Sequence, residues 1–259
     1  MNLFLELAFL FFIGSTFGWV LEVLFRRFVS KANPGRKWIN PGFCTGPYLP
    51  LYGVGLCILY LIAGLEKWSW IENPIWNKVV LFLSMAVCMT LIEYIAGILA
   101  LKIAKVRLWD YRKEWGNLQG IICPKFSLIW AVLGAVYYFL IHPQILNALQ
   151  WLSQNLTFSF VIGVFFGVFI LDAAHSIQLV AKLKRFAEEN DIVIKYESLK
   201  ASIRAQYDKT KRKYNFFRPF HTERPLSEHL KEFLDSFEKR LKKHDKDRAD
   251  IQASEDKKC

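Results

Sequence analysis

The chain has 259 residues, of which 53% are hydrophobic and 16% are aromatic, and it carries a formal net charge of +11. This composition is too apolar for an ordinary soluble domain and predicts a membrane protein. The positive charge lies beside apolar segments. Membrane topology and attraction to anionic lipid therefore explain it better than nucleic-acid binding does.

Five apolar segments predict transmembrane helices, because each is near the roughly 20 residues that a helix needs to cross about 30 Å of hydrocarbon. They are Leu3–Phe25, Tyr48–Leu65, Val79–Leu101, Gly120–Ile141 and Phe158–Ala181. The first lacks a basic start and a small-residue cleavage site, so we expect a retained helix rather than a cleaved signal. The predicted fold is all-α, with a polytopic five-helix transmembrane domain over residues 1–182.

The loops between these segments differ in charge. The first loop, around residues 26–46, and the third, around 102–119, are rich in Lys and Arg, whereas the second is balanced and the fourth, His142–Thr157, contains no Lys, Arg, Asp or Glu. Short basic loops stay on the cytoplasmic side. The pattern predicts an N-terminus outside and a C-terminus in the cytoplasm.

Residues 183–259 form a basic tail with a different pattern. Apolar residues at helical spacing predict amphipathic helices over Glu188–Lys213 and Leu226–Lys243, with a Pro-containing break between them and a frayed end from about Asp245. We expect a cytosolic helical hairpin. A solvated or membrane-skimming tail is the favoured role, and a coiled coil that docks a partner is the alternative.

Three carboxylates, those of Glu22, Glu93 and Asp172, lie inside the apolar segments. A charge at membrane depth costs roughly 2.5–3.5 kcal/mol on insertion scales, so such residues face a partner or a wet cavity. Glu22 precedes Arg26 by one helical turn, which predicts a local ion pair. Glu93 and Asp172 have no basic residue within one turn and are expected to face the protein interior. His175 lies three residues after Asp172; a hydrogen-bonded packing pair is favoured over a proton relay, and no metal site is predicted.

The second and fourth segments begin with residues that interrupt a helix. The predicted break positions are Gly42, Gly46, Pro47, Pro50, Gly120 and Pro124. Non-helical backbone at membrane depth is tolerated only where it is buried in protein or faces water. Paired interruptions in two halves of a chain point to a transport-type binding site.

The two interrupted segments also occupy matching places, which suggests a weak parallel repeat of residues 3–65 and 79–141, followed by the helix 158–181. Chance similarity is the alternative. G-x-x-x-G pairs at Gly14/Gly18 and Gly163/Gly167 predict close helix packing on the first and fifth spans.

Four residues of the third loop complete the set of ligand-binding candidates: Arg107, Asp110, Tyr111 and Asn117. The Trp109-Asp110-Tyr111 run fits an interfacial aromatic belt or, beside Arg107, a polar mouth. The chain has no P-loop, nucleophile elbow or H-E-x-x-H motif, which argues against an ATPase or hydrolase. Its odd number of cysteines, with no C-x-x-C pair, indicates neither a disulfide framework nor a zinc site, and no cofactor is evident.

Several motifs occur in an order that resembles a bacterial family of ABC-transporter permeases of the CmpB type (ABC-transporter type IV). They are Gly18-Trp19 with Glu22, Gly42-Phe43, Gly46-Pro47, Pro50, Tyr52-Gly53 and Gly55, followed by Glu93-Tyr94, Gly97, Trp109-Asp110-Tyr111, Asn117, Gly120, Cys123, Ser127 and Trp130. The resemblance covers roughly residues 8–143; Asp172 fits loosely, His175 has no counterpart, and the tail from Lys182 lies outside. It implies a permease of the bacterial cytoplasmic membrane that works with a separate ATPase subunit.

The favoured function is therefore a transport-type permease with an acidic, inward-facing cavity that binds a cation, a proton or a polar headgroup. A membrane-embedded enzyme acting on lipid or envelope precursors is one alternative. A membrane scaffold that docks a cytosolic partner through its tail is the other. The expected partners are membrane lipid, an ATPase subunit and a further copy of the chain, and not nucleic acid.

Overall fold

The computed structural model describes residues 2–30, 33, 35–67, 73–209, 215–218 and 226–235, and these are mostly helical. The helices are α1 (Leu3–Phe28), α2 (Pro50–Gly64), α3 (Pro74–Ala104), α4 (Pro124–Val136), α5 (His142–Gln154), α6 (Ser159–Glu189) and α7 (Tyr196–Lys209). Short 3₁₀ turns lie at Leu65–Lys67 and Leu156–Phe158. Residues 226–235 are also helical. The predicted frayed end, and the predicted second tail helix beyond residue 235, lie outside the described residues.

Among the described residues, four helices are long and apolar enough to cross a membrane: Leu3–Phe28, Pro74–Ala104, Pro124–Gln154 and Leu156–Glu189. They contain three of the five predicted spans and most of a fourth, Gly120–Ile141, so the expectation of a multi-span helical membrane protein is confirmed. The fifth, α2, has only 15 residues. Its length of about 22 Å is short of the hydrocarbon thickness. The count of five spans and the orientation remain predictions.

Helices α1 and α2 pack closely through glycines. An added Cβ at Gly18 would lie 2.2 Å from Tyr52 Cβ, and one at Gly14 would lie 2.9 Å from Leu56 Cβ. The predicted packing role of this G-x-x-x-G pair is confirmed. The same prediction is wrong within the described part of the chain for Gly163 and Gly167, because no described atom lies within 4 Å of a Cβ added at either position.

Helix α6 meets α1 through a different face, and this explains the open glycines. Phe165, Phe166 and Phe169 of α6 contact the rings of Phe11 and Phe12 on α1. At 100° per residue the centre of these three positions lies about 130° around the helix from the centre of the two glycines, although Phe166 alone is within about 60° of Gly163. Aromatic packing, which needs no close backbone approach, therefore replaces a glycine interface at this contact.

The fourth span continues further than predicted. The expected loop at His142–Thr157 is wrong, because a π-helical segment, Tyr137–Ile141, leads directly into α5. Pro143 has no N–H to donate in an α-helical register. The His142 N–H bonds to Tyr137 O, five residues back, which is the π-type register that carries the helix past the proline.

A two-stranded parallel sheet was not predicted. Strand β1 (Val106–Arg107) pairs with β2 (Ile194–Lys195), and Val106 and Ile194 are both fully buried. The predicted tail helix from Glu188 is correspondingly interrupted: α6 ends at Glu189, and α7 begins at Tyr196 after the strand. Two residues are too few for a periodicity signal, which explains why an all-α fold was expected.

The chain divides into two compact units, Met1–Glu197 and Ser198–Cys259. In the second unit, Leu199, Ile203 and Leu230 are buried as their spacing predicts. Gln206 of α7 hydrogen-bonds Glu232 (2.6 Å) and His229 (2.9 Å) in the helical segment 226–235. The predicted pair of contacting tail helices is therefore present over the described residues.

Candidate functional site

The first loop, defined here as residues 35–49, runs along α1 towards the middle of that helix. Trp19 Nε1 donates to Asn40 Oδ1 (2.7 Å), and further along the loop the Leu49 N–H donates to Ser15 O (2.9 Å). Asn40 is completely buried. Its side-chain amide also donates to loop carbonyls four and five residues ahead. The Asn40 side chain thus stabilises both the turn within the first loop and the contact between this loop and α1.

Glu22 is bound where the first loop passes into α2. Its carboxylate accepts a bond from Arg26 Nε (2.9 Å), as predicted, and a second from Tyr52 Oη (2.9 Å). The missing side chain at Gly18, one turn earlier, gives the Tyr52 ring the space to reach Glu22. Arg26 also pairs with Glu197 at the start of α7. Glu22 is therefore compensated by a cation and a hydroxyl.

Glu93 is bound by two neutral donors. Its side chain is 4% exposed. Tyr111 Oη donates to Oε1 (3.1 Å), and Trp130 Nε1 of α4 donates to Oε2 (2.9 Å). Among the described residues no cation forms an ion pair with it. A buried carboxylate with only neutral partners is costly, because desolvation is offset by hydrogen bonds alone.

The segment of residues 105–123, which contains most of the predicted third loop and is called the second loop from this point, brings Tyr111 to Glu93. It approaches α3 at Gly97, where an added Cβ would lie 2.3 Å from Ile121 Cγ2. Trp109 Nε1 donates to Ile121 O (2.7 Å) beside this contact. Gly97 is one turn from Glu93, so Glu22 and Glu93 each have a glycine one turn away that admits the tyrosine or the loop carrying it.

The second loop is held by its own polar side chains. Asn117 donates to the carbonyls of Arg112 and Glu114 and accepts from the Gly120 N–H. Arg107 Nη1 donates to Gln119 O (3.0 Å). Gly120 has φ +68°, and an added Cβ would lie 2.4 Å from the Arg112 side chain, so the turn requires glycine there. Asn117 and Arg107 are thus loop-stabilising residues in this structure.

A pair of aromatic rings links the two glutamates. The ring centroids of Tyr52, which binds Glu22, and Trp130, which binds Glu93, are 5.7 Å apart. The two carboxylates are also close enough to interact electrostatically. The groups that sequence analysis placed on separate halves of the chain therefore form one connected network. We call Glu22, Glu93, Tyr52, Tyr111 and Trp130 the glutamate network.

Asp172 belongs to a different arrangement. It accepts bonds from the Thr45 N–H and hydroxyl, the Gly46 N–H and the Tyr48 hydroxyl, all in the first loop. One turn on, Ser176 Oγ donates to Phe43 O (3.2 Å). Helix α6 thus holds the first loop through two side chains on one face.

His175 does not join the Asp172 arrangement. It is exposed, and its Nδ1 lies 3.1 Å from Leu171 O of its own helix. The predicted hydrogen-bonded pair of Asp172 and His175 is therefore absent, because the donors of the first loop occupy the carboxylate instead.

Asp110 binds two cations at the edge of the second loop. Arg112 donates to it at 2.9 and 2.8 Å, and Lys195 of β2 lies 2.9 Å away. These bonds hold the pKa of the Asp110 carboxyl well below its usual range. Next to it, burial and then the Glu93 carboxylate raise the pKa of Tyr111 far above its ordinary value, so its phenol stays protonated.

A comparison with protein families matches residues 9–177 to a family model described as "Putative ABC-transporter type IV". The match covers more than half of the chain. The chain belongs to this family. It is accordingly a membrane protein of an ABC-transporter type, as its apolar helices also indicate. Searches of curated proteins and of solved structures found no significant match.

The family region extends beyond the resemblance recognised from motifs, since it includes Asp172 and His175. Within it, the structure joins Glu22, Glu93 and Tyr111, and gives Asp172, Asp110, Asn117 and Arg107 contacts elsewhere. Of the predicted break positions, Gly42 has φ +72°, and Pro50 and Pro124 open α2 and α4 in their first turns, where a proline is tolerated. Gly46 and Pro47 lie in non-helical backbone.

Sequence reasoning missed the roles of Tyr52 and Trp130 as donors to the two glutamates. Both residues are part of the motifs that carry the family resemblance. The motifs therefore marked both residues as candidates, but Tyr52 is 30 residues from Glu22 and Trp130 is 37 residues from Glu93, so no spacing in the sequence paired them.

Proposed function

We propose that the protein is a transport-type permease of the bacterial cytoplasmic membrane whose glutamate network forms an acidic site reached from the cytoplasm. The observation that carries this proposal is Glu93: a 4%-exposed carboxylate inside a membrane-length helix, bonded only to neutral donors. Intramembrane carboxylates of this kind mark ion and proton pathways in transporters.

The proposed topology has five spans with the N-terminus outside, as the basic segments around residues 26–46 and 102–119 favour. Helix α2 then crosses only part of the bilayer, and the first loop supplies the rest of the path. The position at which the first loop contacts α1 supports this path. The loop reaches Ser15, which is 12 residues or about 18 Å from Leu3 and therefore near mid-membrane for a helix of 26 residues. Such backbone is tolerated because protein covers it.

The chemistry of the network favours a proton over a metal ion as its occupant. A metal needs further ligand atoms with lone pairs, but an indole N–H such as that of Trp130 can only donate. A proton can bind Glu93 at Oε1, where the Tyr111 hydroxyl can turn from donor to acceptor. The carboxyl then remains hydrogen-bonded in both states, as a site that loads and releases a proton requires.

An enzymatic acid–base pair receives less support from the same geometry, because His175 is exposed and lies apart from the glutamate network. The family instead favours association with a separate ATPase subunit. Affinity purification of the full chain from native membranes tests this association. We expect an ATPase to co-purify, and a homo-oligomer alone would contradict it.

The decisive test is proton flux in proteoliposomes reconstituted with the full chain, driven by an imposed potassium gradient and read with an internal pH dye. We expect Glu93→Gln to abolish the flux of the wild type. Glu6→Gln is the matched control, because Glu6 also lies on a spanning helix and also accepts a tyrosine hydroxyl, that of Tyr60 (2.9 Å), away from the network. Equal flux in wild type and Glu93→Gln would refute the proposal.

A further inference from the structure

Four successive residues that follow α6, at positions 194–197, contact both loops of the proposed site. The first two bind the second loop: Ile194 pairs with Val106 and is completely buried, and Lys195 pairs with Arg107. The Lys195 ammonium also lies 2.9 Å from the Asp110 carboxylate. A backbone strand and an ion pair therefore fix the second loop at this point.

The next two residues, Tyr196 and Glu197, contact the first loop and α1. The Tyr196 ring lies 4.5 Å, centroid to centroid, from Phe43 in the first loop. Glu197 pairs with Arg26, and Arg26 in turn binds Glu22 (2.9 Å). The segment thus reaches both the loop that leads into α2 and the cation that compensates Glu22.

Two of these contacts lead to the carboxylates of the glutamate network. Asp110 precedes Tyr111, the hydroxyl donor to Glu93, so a shift of Asp110 moves that donor. Arg26 bonds Glu22 directly, so its position sets how much positive charge Glu22 receives. The last two of the four residues, Tyr196 and Glu197, are the first two residues of α7, and α7 carries the chain into the second compact unit.

We propose that residues 194–197 are a coupling segment through which the C-terminal tail controls both glutamates. Tension or release at the start of α7 is transmitted through Lys195 to Tyr111 and through Glu197 to Arg26. Its regulatory meaning rests on the proposed function, but the coupling itself is a structural property of the chain. The four residues act through others and are positioning residues.

The test uses full-length protein in nanodiscs with Lys195→Ala, Glu197→Gln and the double variant. Hydrogen exchange reports order in the second loop, and the infrared carboxyl band assigned by its loss in Glu93→Gln reports the environment of Glu93. We expect exchange in residues 106–122 to rise about twofold to threefold in Lys195→Ala, as fits the loss of one partly exposed ion pair. We also expect the Glu93 band to move, and to move furthest in the double variant.

Arg185→Ala is the matched control, since Arg185 is an exposed cation of α6 whose ion pair with Glu189 lies outside the coupling segment. An equal change in this control, or unchanged exchange and an unmoved band in the double variant, would overturn the proposal. So would faster exchange with an unmoved Glu93 band, because the segment would then hold the loop without controlling the carboxylate. These readouts need no transport, so they stay informative if Glu93→Gln leaves proton flux intact.

Discussion

Replacement of Asp172 by asparagine tests the view that this carboxylate is a clamp for the first loop. Asp172 accepts bonds from two donors of Thr45, the Gly46 amide and the Tyr48 hydroxyl. An asparagine oxygen accepts at most two bonds, so at least two are lost. A hydrogen bond to a charged group contributes about 1.5–3 kcal/mol. Because the carboxylate is half-buried and water replaces part of each loss, we expect about 3 kcal/mol for two bonds, the lower end of the range.

The assay is amide hydrogen exchange of Thr45 and Gly46, whose N–H groups bond directly to Asp172. At 1.4 kcal/mol per factor of ten, a loss of about 3 kcal/mol makes their exchange about 100-fold faster. Ser176→Ala is the graded control: it removes one neutral bond to Phe43, worth about 1 kcal/mol, on the same helix face. Unchanged protection of both amides in Asp172→Asn would refute the clamp, as would an equal effect in the serine variant.

Two further predictions follow from the packing and the topology. Gly97→Ala places a Cβ 2.3 Å from Ile121 Cγ2, so we expect about 1–3 kcal/mol of destabilisation in thermal unfolding, whereas Gly163→Ala meets no atom within 4 Å and leaves stability unchanged. Equal melting temperatures for the two variants would contradict this account of the second loop. In a cysteine-free background, Lys113→Cys is expected to react with an impermeant thiol reagent only after membrane permeabilisation, and Gln150→Cys in intact cells; the reverse result would invert the proposed orientation.

Local contacts were predictable from the sequence, and long-range partners were not. The ion pair of Glu22 with Arg26 depends only on helical spacing and is present. The donors to Asp172 lie 124 to 127 residues earlier in the chain, and no periodicity connects them. Trp130 is 37 residues from Glu93. The apolar segments therefore predicted the helices, while tertiary packing determined which donors reach the acids.

The two G-x-x-x-G pairs also show that the sequence does not specify long-range packing partners. Gly14 and Gly18 face Leu56 and Tyr52 of α2, whereas the pair on α6 faces no residue of the described chain. The motif permits close approach but does not specify a neighbour. Likewise, Gly42 and Gly120 mark turns with positive φ, and the sequence predicted the interruptions without showing that each loop folds back towards a glutamate.

The three intramembrane carboxylates differ in what compensates them, and the difference decides which one is informative. Glu22 has a cation, and Asp172 has four loop donors and partial exposure. Glu93 alone is buried with neutral partners. A glutamine at this position could still accept from Trp130 through Oε1 and donate to the Tyr111 hydroxyl through Nε2, so a purely structural role would survive Glu93→Gln. The negative charge is the property that a glutamine cannot supply. A carboxyl group can also take up and release a proton, which a glutamine amide cannot do, and this is the reason to assign the proton to Glu93.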